Sequence, residues 1–459
     1  MEKFDLIIVG GGLAGLSVAA SFPFKGKILL LEKEERIDSS DNPVGVTFLD
    51  TIEKFHLEEA VINFYKVVSF HTEKVKTSFN YKDPVAALLD LEKSKRILRE
   101  NSFCEIRTGV EVIKVFRENK VINLVDINGR IYQAPLVIDA TGNASLIASF
   151  LGLKFKKDAF AGVLTVVLES CEIKNSEEVF ILQGFDSLYN GGGWIYPFSK
   201  EKCQIGVSSL LPYELPSREN LRARLSLLMR EDDFFFCFKN ARENPSTFLY
   251  KFSPRLQPLI PMITDNLLVV GDAAGQATSF IGEGIRPALE MGKIAGEIAS
   301  EALSKGTFSK TFLKKYEDIW WERFGKYNRW SIRFRSIAGP YFKKDHWHEL
   351  FSNLKKLSSQ EFYKVLRSEY NSKIARKILS LKLIYRLVTN IIFPPLKFKR
   401  AKFSEAFLCF LSLYLVFFIL AFLSPSMISF LPNYFFFLLI FLPNFLFLVI
   451  IFAIKNNLK

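Results

Sequence analysis

Asp5-Leu6-Ile7-Ile8-Val9-Gly10-Gly11-Gly12-Leu13-Ala14-Gly15 decides the fold of this 459-residue chain. An apolar run of strand length leads directly into a glycine loop, and Leu13 to Phe22 has the pattern of a helix. Gly10 permits the tight turn, Gly12 lets the backbone approach a pyrophosphate, and Gly15 lets the helix pack against the sheet. Phosphate belongs at the N-terminus of that helix. Past the turn at Lys25-Gly26, Lys27 to Leu31 is the next strand. Glu32 at its end can accept hydrogen bonds from adenosine ribose hydroxyls, and it disfavours a 2′-phosphate. The unit is βαβ and predicts a bound dinucleotide.

A second signature identifies the dinucleotide as FAD. Gly271-Asp272-Ala273-Ala274-Gly275 follows the apolar strand Leu267 to Val270, and Gly282-Glu283-Gly284-Ile285 opens a helix running to about Leu303. Asp272 is placed for a ribityl hydroxyl, and the helix N-terminus can face the flavin pyrimidine edge and stabilise negative charge there. Read alone, the segment is also compatible with an ordinary turn whose Asp272 caps a helix.

Between the signatures, Leu91 to Glu100 reads as a helix and Glu105 to Val115 as one strand. Val121 to Asp126 and Arg130 to Ala134 flank a hairpin turn at Asn128-Gly129, and Leu136 to Ile138 is a further strand. Leu151 to Pro261, with strands Gly162 to Glu169 and Gln204 to Ser209 and a glycine cluster at Gly191 to Gly193, reads as an antiparallel-sheet domain. The expected architecture is α/β: a Rossmann-like FAD-binding domain from residues 1–50, 85–150 and 262–305, and a substrate domain from 51–84 and 151–261. A helical extension over 306–400 and a two-helix membrane hairpin over 401–459 complete it.

The hairpin rests on two apolar blocks, Ala406 to Leu423 and Tyr434 to Ile454, each near the ~20 residues that cross a bilayer. Lys397, Lys399, Arg400 and Lys402 precede them and Lys455 and Lys459 follow, which puts both ends and the catalytic part on the cytoplasmic side. Pro432, Pro443 and Asn444 also allow a re-entrant hairpin. Upstream, Lys373, Arg376, Lys377, Lys382 and Arg386 alternate with apolar residues, as in a helix on an anionic leaflet or one packed on the protein. The net charge of +13 therefore points to a membrane surface, and no nucleic-acid-binding motif is present. Five scattered cysteines show neither zinc nor disulfide spacing. His346 and His348 lack further ligands and read as part of a solvated helix, so no metal is expected.

From about Asp5 to Arg329 the chain resembles the geranylgeranyl reductase family of FAD-dependent oxidoreductases, within the wider group of aromatic-hydroxylase-like flavoproteins. The resemblance lies in the glycine loop with Ala19, Asp139-Ala140-Thr141-Gly142, Gly193-Trp194-Ile195-Tyr196-Pro197, the two signatures around Asp272 and Gly284, and Tyr316 to Gly325. It implies reduction of carbon–carbon double bonds of a polyprenyl lipid by hydride from reduced flavin N5. Motifs and resemblance together assign cofactor contacts to Gly10, Gly12, Leu13, Ala14, Gly15, Glu32, Val112, Gly142, Gly271, Asp272, Gly282, Gly284 and Ile285. They assign the substrate cavity to Val44, Gly45, Trp194, Tyr196 and Pro197.

Three positions depart from the family pattern: Gly192 replaces an aromatic, Val44 a cysteine and Leu91 an arginine. Tyr196 is the one candidate proton donor, although a phenol between Trp and Pro also suits packing. With a single complete dinucleotide fingerprint, the electron donor is either visiting NADPH or a docked carrier such as reduced ferredoxin. The same frame also serves an FAD monooxygenase or epoxidase and a non-catalytic prenyl carrier. A cluster-bearing quinone-linked dehydrogenase is disfavoured by the missing four-cysteine set, and a lycopene cyclase by the Gly-Asp-Ala-Ala-Gly segment.

Overall fold

Leu6–Val9 is buried along its whole length and pairs in parallel with Ile28–Leu31 on one side and Leu136–Asp139 on the other. A strand covered on both faces needs an unbroken apolar run, which these three segments supply. The full sheet has six strands in the order Ile263–Thr264, Leu267–Val269, Leu136–Asp139, Leu6–Val9, Ile28–Leu31 and Glu105–Arg107. Only the first pair in that order is antiparallel. The glycine-loop helix, Leu13–Ala20, packs against Ile285–Lys305 and Leu91–Glu100. This computed structural model describes residues 1–383 except 23–25, 41, 156–159, 189–190, 211–216, 256, 370 and 381–382. Met1–Tyr370 forms one compact unit and the residues from Asn371 a second.

The single strand expected over Glu105 to Val115 is two strands in different sheets. Glu105–Arg107 closes the six-stranded sheet, whereas Val112–Glu118 pairs with Val121–Asp126 in a four-stranded one. Gly109 at φ 67° redirects the chain between them. Its N–H and that of Val110 donate to the carbonyls of Glu34 and Glu32 at 2.9 Å. The glycine cluster Gly191 to Gly193 opens the strand Gly191–Pro197.

That strand belongs to a seven-stranded sheet ordered Arg242–Arg255, Phe160–Glu169, Lys202–Leu210, Gly191–Pro197, Glu178–Leu182, Val67–His71 and Lys76–Asn80. All neighbours are antiparallel except Glu178–Leu182 and Val67–His71, which run parallel. Side chains alternate between two faces. Leu164, Val166, Ile195, Ile205 and Val207 form one, packed with Leu221, Leu225 and Leu228 of the helix Arg218–Leu228. The opposite face lines a cavity. Part of the 51–84 segment lies elsewhere: Val61–Tyr65 pairs with Ala86–Asp90, which also pairs with Val44–Phe48.

After the long helix come Lys310–Trp320, a π-helical turn at Trp321–Gly325, Lys326–Tyr341, Lys344–Leu354 and Ser359–Leu366. The last two close over the edge of the seven-stranded sheet. Thr77 Oγ1 donates to Phe351 O at 2.7 Å, and the rings of Phe79 and Phe362 stack with centroids 3.7 Å apart. This corrects the solvated reading of His346 and His348, because both are buried. His346 Nδ1 accepts from the Lys343 N–H, and His348 Nδ1 lies 2.7 Å from Thr72 Oγ1. Among the described residues no group of three or more His, Cys, Asp or Glu is placed to hold a metal ion. Two of the scattered cysteines come together, with the Cys171 and Cys203 sulfurs 3.8 Å apart.

Of the basic amphipathic stretch, Ser372–Ile378 is helical, with Ile374 and Ile378 buried. The hairpin over 401–459 lies outside the described residues, among which no helix is long and apolar enough to cross a membrane.

Candidate flavin and substrate site

The carboxyl ends of the central strands converge at one edge, where an open α/β sheet leaves its ligand crevice. Gly10 has φ 107°, and a Cβ there would lie 2.3 Å from Ala140 O, so the glycine loop and the Asp139–Gly142 turn are in direct backbone contact. Asp139 organises that turn. Its carboxylate accepts from Thr141 Oγ1 at 2.6 Å, Thr141 N at 3.1 Å and Ala148 N at 2.8 Å. Glu32 accepts from Gly11 N at 2.5 Å and Glu34 N at 2.9 Å, which fixes its carboxylate beside the loop.

These features fit a dinucleotide. The first turn of Leu13–Ala20 has neither a side-chain cap nor an acid, so its N–H groups are free to meet phosphate. A Cβ at Gly12 would touch nothing within 4 Å. The same holds at Gly282, whose φ is 74°. Asp272 faces the crevice, with Gly284 beside it. Burial pushes the Asp272 carboxyl above the usual carboxylate range, and the charge of Lys251 pulls it part-way back.

Behind Gly282–Ile285 is a buried charge cluster. The Glu283 carboxylate accepts from Arg286 N at 2.7 Å and lies 3.5 Å from the Arg286 guanidinium. That guanidinium reaches Glu369 at 3.3 Å and donates to Arg367 O at 2.9 Å. Burial raises the Glu283 pKa, against the opposing attraction of Arg286.

The crevice opens into a cavity of about 560 Å³ that runs from Gly12, Leu13 and Ala14 past Asp272 to the seven-stranded sheet. Val44, Gly45, Trp194 and Tyr196 line it, as do Gly142, Gly282, Gly284 and Ile285. Phe70, Val163 and Ile181 make its apolar wall, and Phe334, Trp347 and Phe351 of the helical extension roof it.

No family model matches the chain. It is 28% identical over 349 residues to the digeranylgeranylglycerophospholipid reductase of Methanocaldococcus jannaschii, covering 73% of this chain and 87% of the relative. To digeranylgeranylglycerophospholipid reductase 2 of Methanothermobacter thermautotrophicus it is 27% identical over 365 residues, covering 73% of this chain and 88% of the relative. A geranylgeranyl bacteriochlorophyll reductase-like structure from Thermoplasma acidophilum superposes with a TM-score of 0.70 at 18% identity, covering 86% of this chain and 98% of that one. In sequence and in fold the chain is similar to the geranylgeranyl reductase family of FAD-dependent oxidoreductases. The fold is shared more widely. The halogenase PltM, in complex with phloroglucinol and FAD, superposes with a TM-score of 0.61 at 15% identity over 82% of this chain and 85% of that one.

Six of the assigned residues are not among those that line the cavity. Val112 is buried in the main core, and it is Val110 whose N–H meets the Glu32 carbonyl. Pro197 is not among the lining residues, and its carbonyl accepts from Tyr65 OH at 2.7 Å and Asn63 Nδ2 at 2.9 Å. The other four are Gly10, Gly15, Glu32 and Gly271. Leu91 lines the cavity without a charge, and Lys95, one helical turn on, also lines it, its Nζ donating to Ser39 O at 2.5 Å. Sequence reasoning missed Thr165, Gln183, Lys251 and the helical roof. Alternation along the strands carries a signal for the first three, but only strand order places them together.

Asp272→Asn tests the flavin edge. The folded pKa of Asp272 lies above the unfolded value of about 3.9. Its favourable contribution is therefore full below that value and is lost as pH rises through the folded pKa. D272N is expected to stabilise the apoprotein at pH 7 to 8, with the gain vanishing below about pH 4, and to weaken FAD binding. Thermal midpoints of apoprotein across this range, with FAD titrations, check both signs. A D272N apoprotein less stable than wild type at pH 8 overturns the argument.

Proposed function

We propose that this protein reduces carbon–carbon double bonds of a geranylgeranyl-like lipid. One observation carries the reading: the crevice of the FAD-binding frame is continuous with a cavity over the seven-stranded sheet walled by Phe70, Val163, Ile181 and Trp194. When bound, FAD would supply hydride from its reduced N5. Leu13, Ala14 and the first turn of their helix would hold its phosphates, Asp272 a ribityl hydroxyl, and Gly282 to Ile285 the flavin edge. Residues 51–84 and 151–261 would then serve substrate, and the other segments cofactor. The curated relatives point the same way, being named as reductases of digeranylgeranylglycerophospholipid.

An isolated alkene accepts hydride poorly, so the chain must also exclude water and deliver a proton. Phe70, Ile181, Trp194 and Phe351 supply the dry wall. Tyr196 remains the proton donor we assign: its side chain lines the cavity, and burial raises its pKa, keeping the phenol protonated at neutral pH. The apolar blocks Ala406 to Leu423 and Tyr434 to Ile454 support placing the enzyme at a membrane, with the catalytic part cytoplasmic. The single fingerprint leaves NADPH or a reduced ferredoxin as donor.

Anaerobic incubation of chemically reduced holoenzyme with geranylgeranylated lipids is expected to give products heavier by two hydrogens per reduced bond, read by mass spectrometry. Unchanged lipid beside a flavin that stays reduced would sink the reading. Oxygen uptake with an oxygenated product would transfer it to the monooxygenase class.

A further inference from the structure

The π-helical turn Trp321–Gly325 leads directly into the helix Lys326–Tyr341, and the two carry Arg323, Lys326, Arg329, Arg333 and Arg335 against a single acid, Glu322. Successive residues of an α-helix turn by about 100°, so Arg329, Trp330 and Arg333 fall within about 60° of Lys326. The other side of the helix fixes its rotation. Asn328 is buried, accepting from Ser279 N at 2.7 Å and donating to Ala277 O at 3.3 Å, and Ser331 is buried one turn on. Lys326, Arg329 and Arg333 are in consequence exposed, with Trp330 half-buried on the same face.

The charges on this face are not neutralised. Arg323 is held by Glu290 at 3.3 Å, yet among the described residues no carboxylate lies within ion-pair distance of Lys326, Arg329 or Arg333. Each of these lies over an aromatic ring instead: Lys326 Nζ is 4.8 Å from the Tyr327 centroid, and the guanidinium groups of Arg329 and Arg333 are 5.1 and 5.5 Å from the centroids of Trp321 and Trp330. Gly325 makes room for the first of the tryptophans, since a Cβ there would lie 2.3 Å from the Trp321 ring.

A helical face that only meets solvent is stabilised by carboxylates three or four residues from its cations, and Arg329 and Arg333 have none at those spacings. They are instead an i, i+4 pair of like charge, which costs stability unless an external anion relieves it. Cations interleaved with Trp and Tyr along one helical face suit the headgroup level of an anionic leaflet, where phosphates meet the charges and the amphipathic rings lie across the boundary. An acidic protein would also complement the charge. The bilayer is favoured because Phe334, the residue after Arg333, roofs the cavity.

We propose that the face of this helix carrying Lys326, Arg329, Trp330 and Arg333 docks on an anionic lipid bilayer, setting the cavity roof against the leaflet that holds the substrate. The surface rests on the prenyl-lipid reading for its purpose and on the helix alone for its chemistry. It does not depend on the apolar blocks near the C-terminus.

The test places the full-length holoenzyme on vesicles of phosphatidylcholine, or of equal parts phosphatidylcholine and phosphatidylglycerol, with bromine on the acyl chains to quench tryptophan. Subtracting the W330F signal isolates Trp330. Its fluorescence is expected to be quenched on the anionic vesicles and not on the zwitterionic ones, and to recover at about 1 M salt, where the Debye length is about 3 Å. Each cation near such a surface contributes about fivefold to binding, so K326Q/R329Q/R333Q should weaken docking about a hundredfold and bring quenching on anionic vesicles down to the zwitterionic level. Equal quenching of Trp330 on both lipids, or quenching unchanged in the triple variant, would overturn the surface. If W330F fails to retain flavin, the total quenching of wild type against the triple variant decides alone. No quenching on anionic vesicles, with slower flavin reduction by reduced ferredoxin in the triple variant, overturns the bilayer and gives the face to an acidic carrier. Hydrogenation of geranylgeranylated lipid in detergent micelles, run alongside, separates the two readings. Turnover in micelles without quenching on vesicles removes only the docking surface, whereas quenching without turnover removes the prenyl-lipid reading and leaves the surface standing.

Discussion

Gly15→Ala is expected to strip the protein of flavin. A Cβ at this position would lie 2.0 Å from Gly10 O and 3.2 Å from the Ala140 Cβ. The first of these is a backbone atom of the glycine loop, so no side chain can swing aside to relieve the clash. The helix Leu13–Ala20 must lift instead, carrying Leu13 and Ala14 away from the crevice they line. Overpacking of this kind costs about 1–3 kcal/mol and sometimes more. We therefore expect apoprotein stability to fall by about 3 kcal/mol and bound FAD per chain to drop to less than about a tenth of wild type, since 1.4 kcal/mol is already tenfold in binding. Gly12→Ala provides the contrast. Gly12 has φ −74° and open space around its Cβ position, so G12A should leave apoprotein stability intact while weakening FAD binding. Urea unfolding of the apoproteins and FAD titration measure the two effects separately. Equal flavin retention by G15A and wild type would show that the loop does not hold the cofactor.

Arg286→Met should be the most destabilising single change in the charge cluster behind the flavin edge. The Arg286 side chain is 3% exposed and that of Glu283 4%. Removing one partner of a buried pair typically costs about 3–5 kcal/mol, because the other charge is left uncompensated. The guanidinium also lies over Phe48 and Phe324, with centroid distances of 5.5 and 5.0 Å, so packing adds to the loss. Glu283 already has a raised folded pKa, and losing Arg286 would raise it further. The sign follows: the penalty of R286M is largest at alkaline pH and shrinks as pH falls through the folded pKa of Glu283. A double variant, E283Q with R286M, should recover part of the loss at pH 8. Urea midpoints at pH 5 and pH 8 check this, and a loss below about 1 kcal/mol, the scale of an exposed ion pair, would mean that solvent screens the cluster.

Both predictions concern residues at the edge of what could be read from the linear chain. Gly15 was legible because spacing within one βαβ unit is a local property. The period of an unbroken apolar run, a glycine loop and an acid after the next strand describe contacts between near neighbours. Asp272 and Gly282 to Ile285 were legible for the same reason, as a second local pattern. The boundary at Gly109 was not, because a strand-like mixture of apolar and polar residues on both sides of it does not reveal that the chain changes sheets at a residue with positive φ. His346 and His348 looked solvated because their immediate sequence is polar, while the surface that buries them comes from around Thr72.

The sequence by itself determined the Rossmann-like frame, the expectation of FAD and the two segments that meet at the crevice. Each follows from backbone geometry and charge within a few residues. Only the tertiary structure decided that Arg286 is sealed against Glu369, that the helical extension roofs the cavity, and that Gln183 covers Gly192. Those relations depend on strand order and helix docking, which bring together residues with no local pattern linking them. Hydrophobic burial selects such neighbours by shape across the whole fold, so their pairing becomes visible only once the chain is folded.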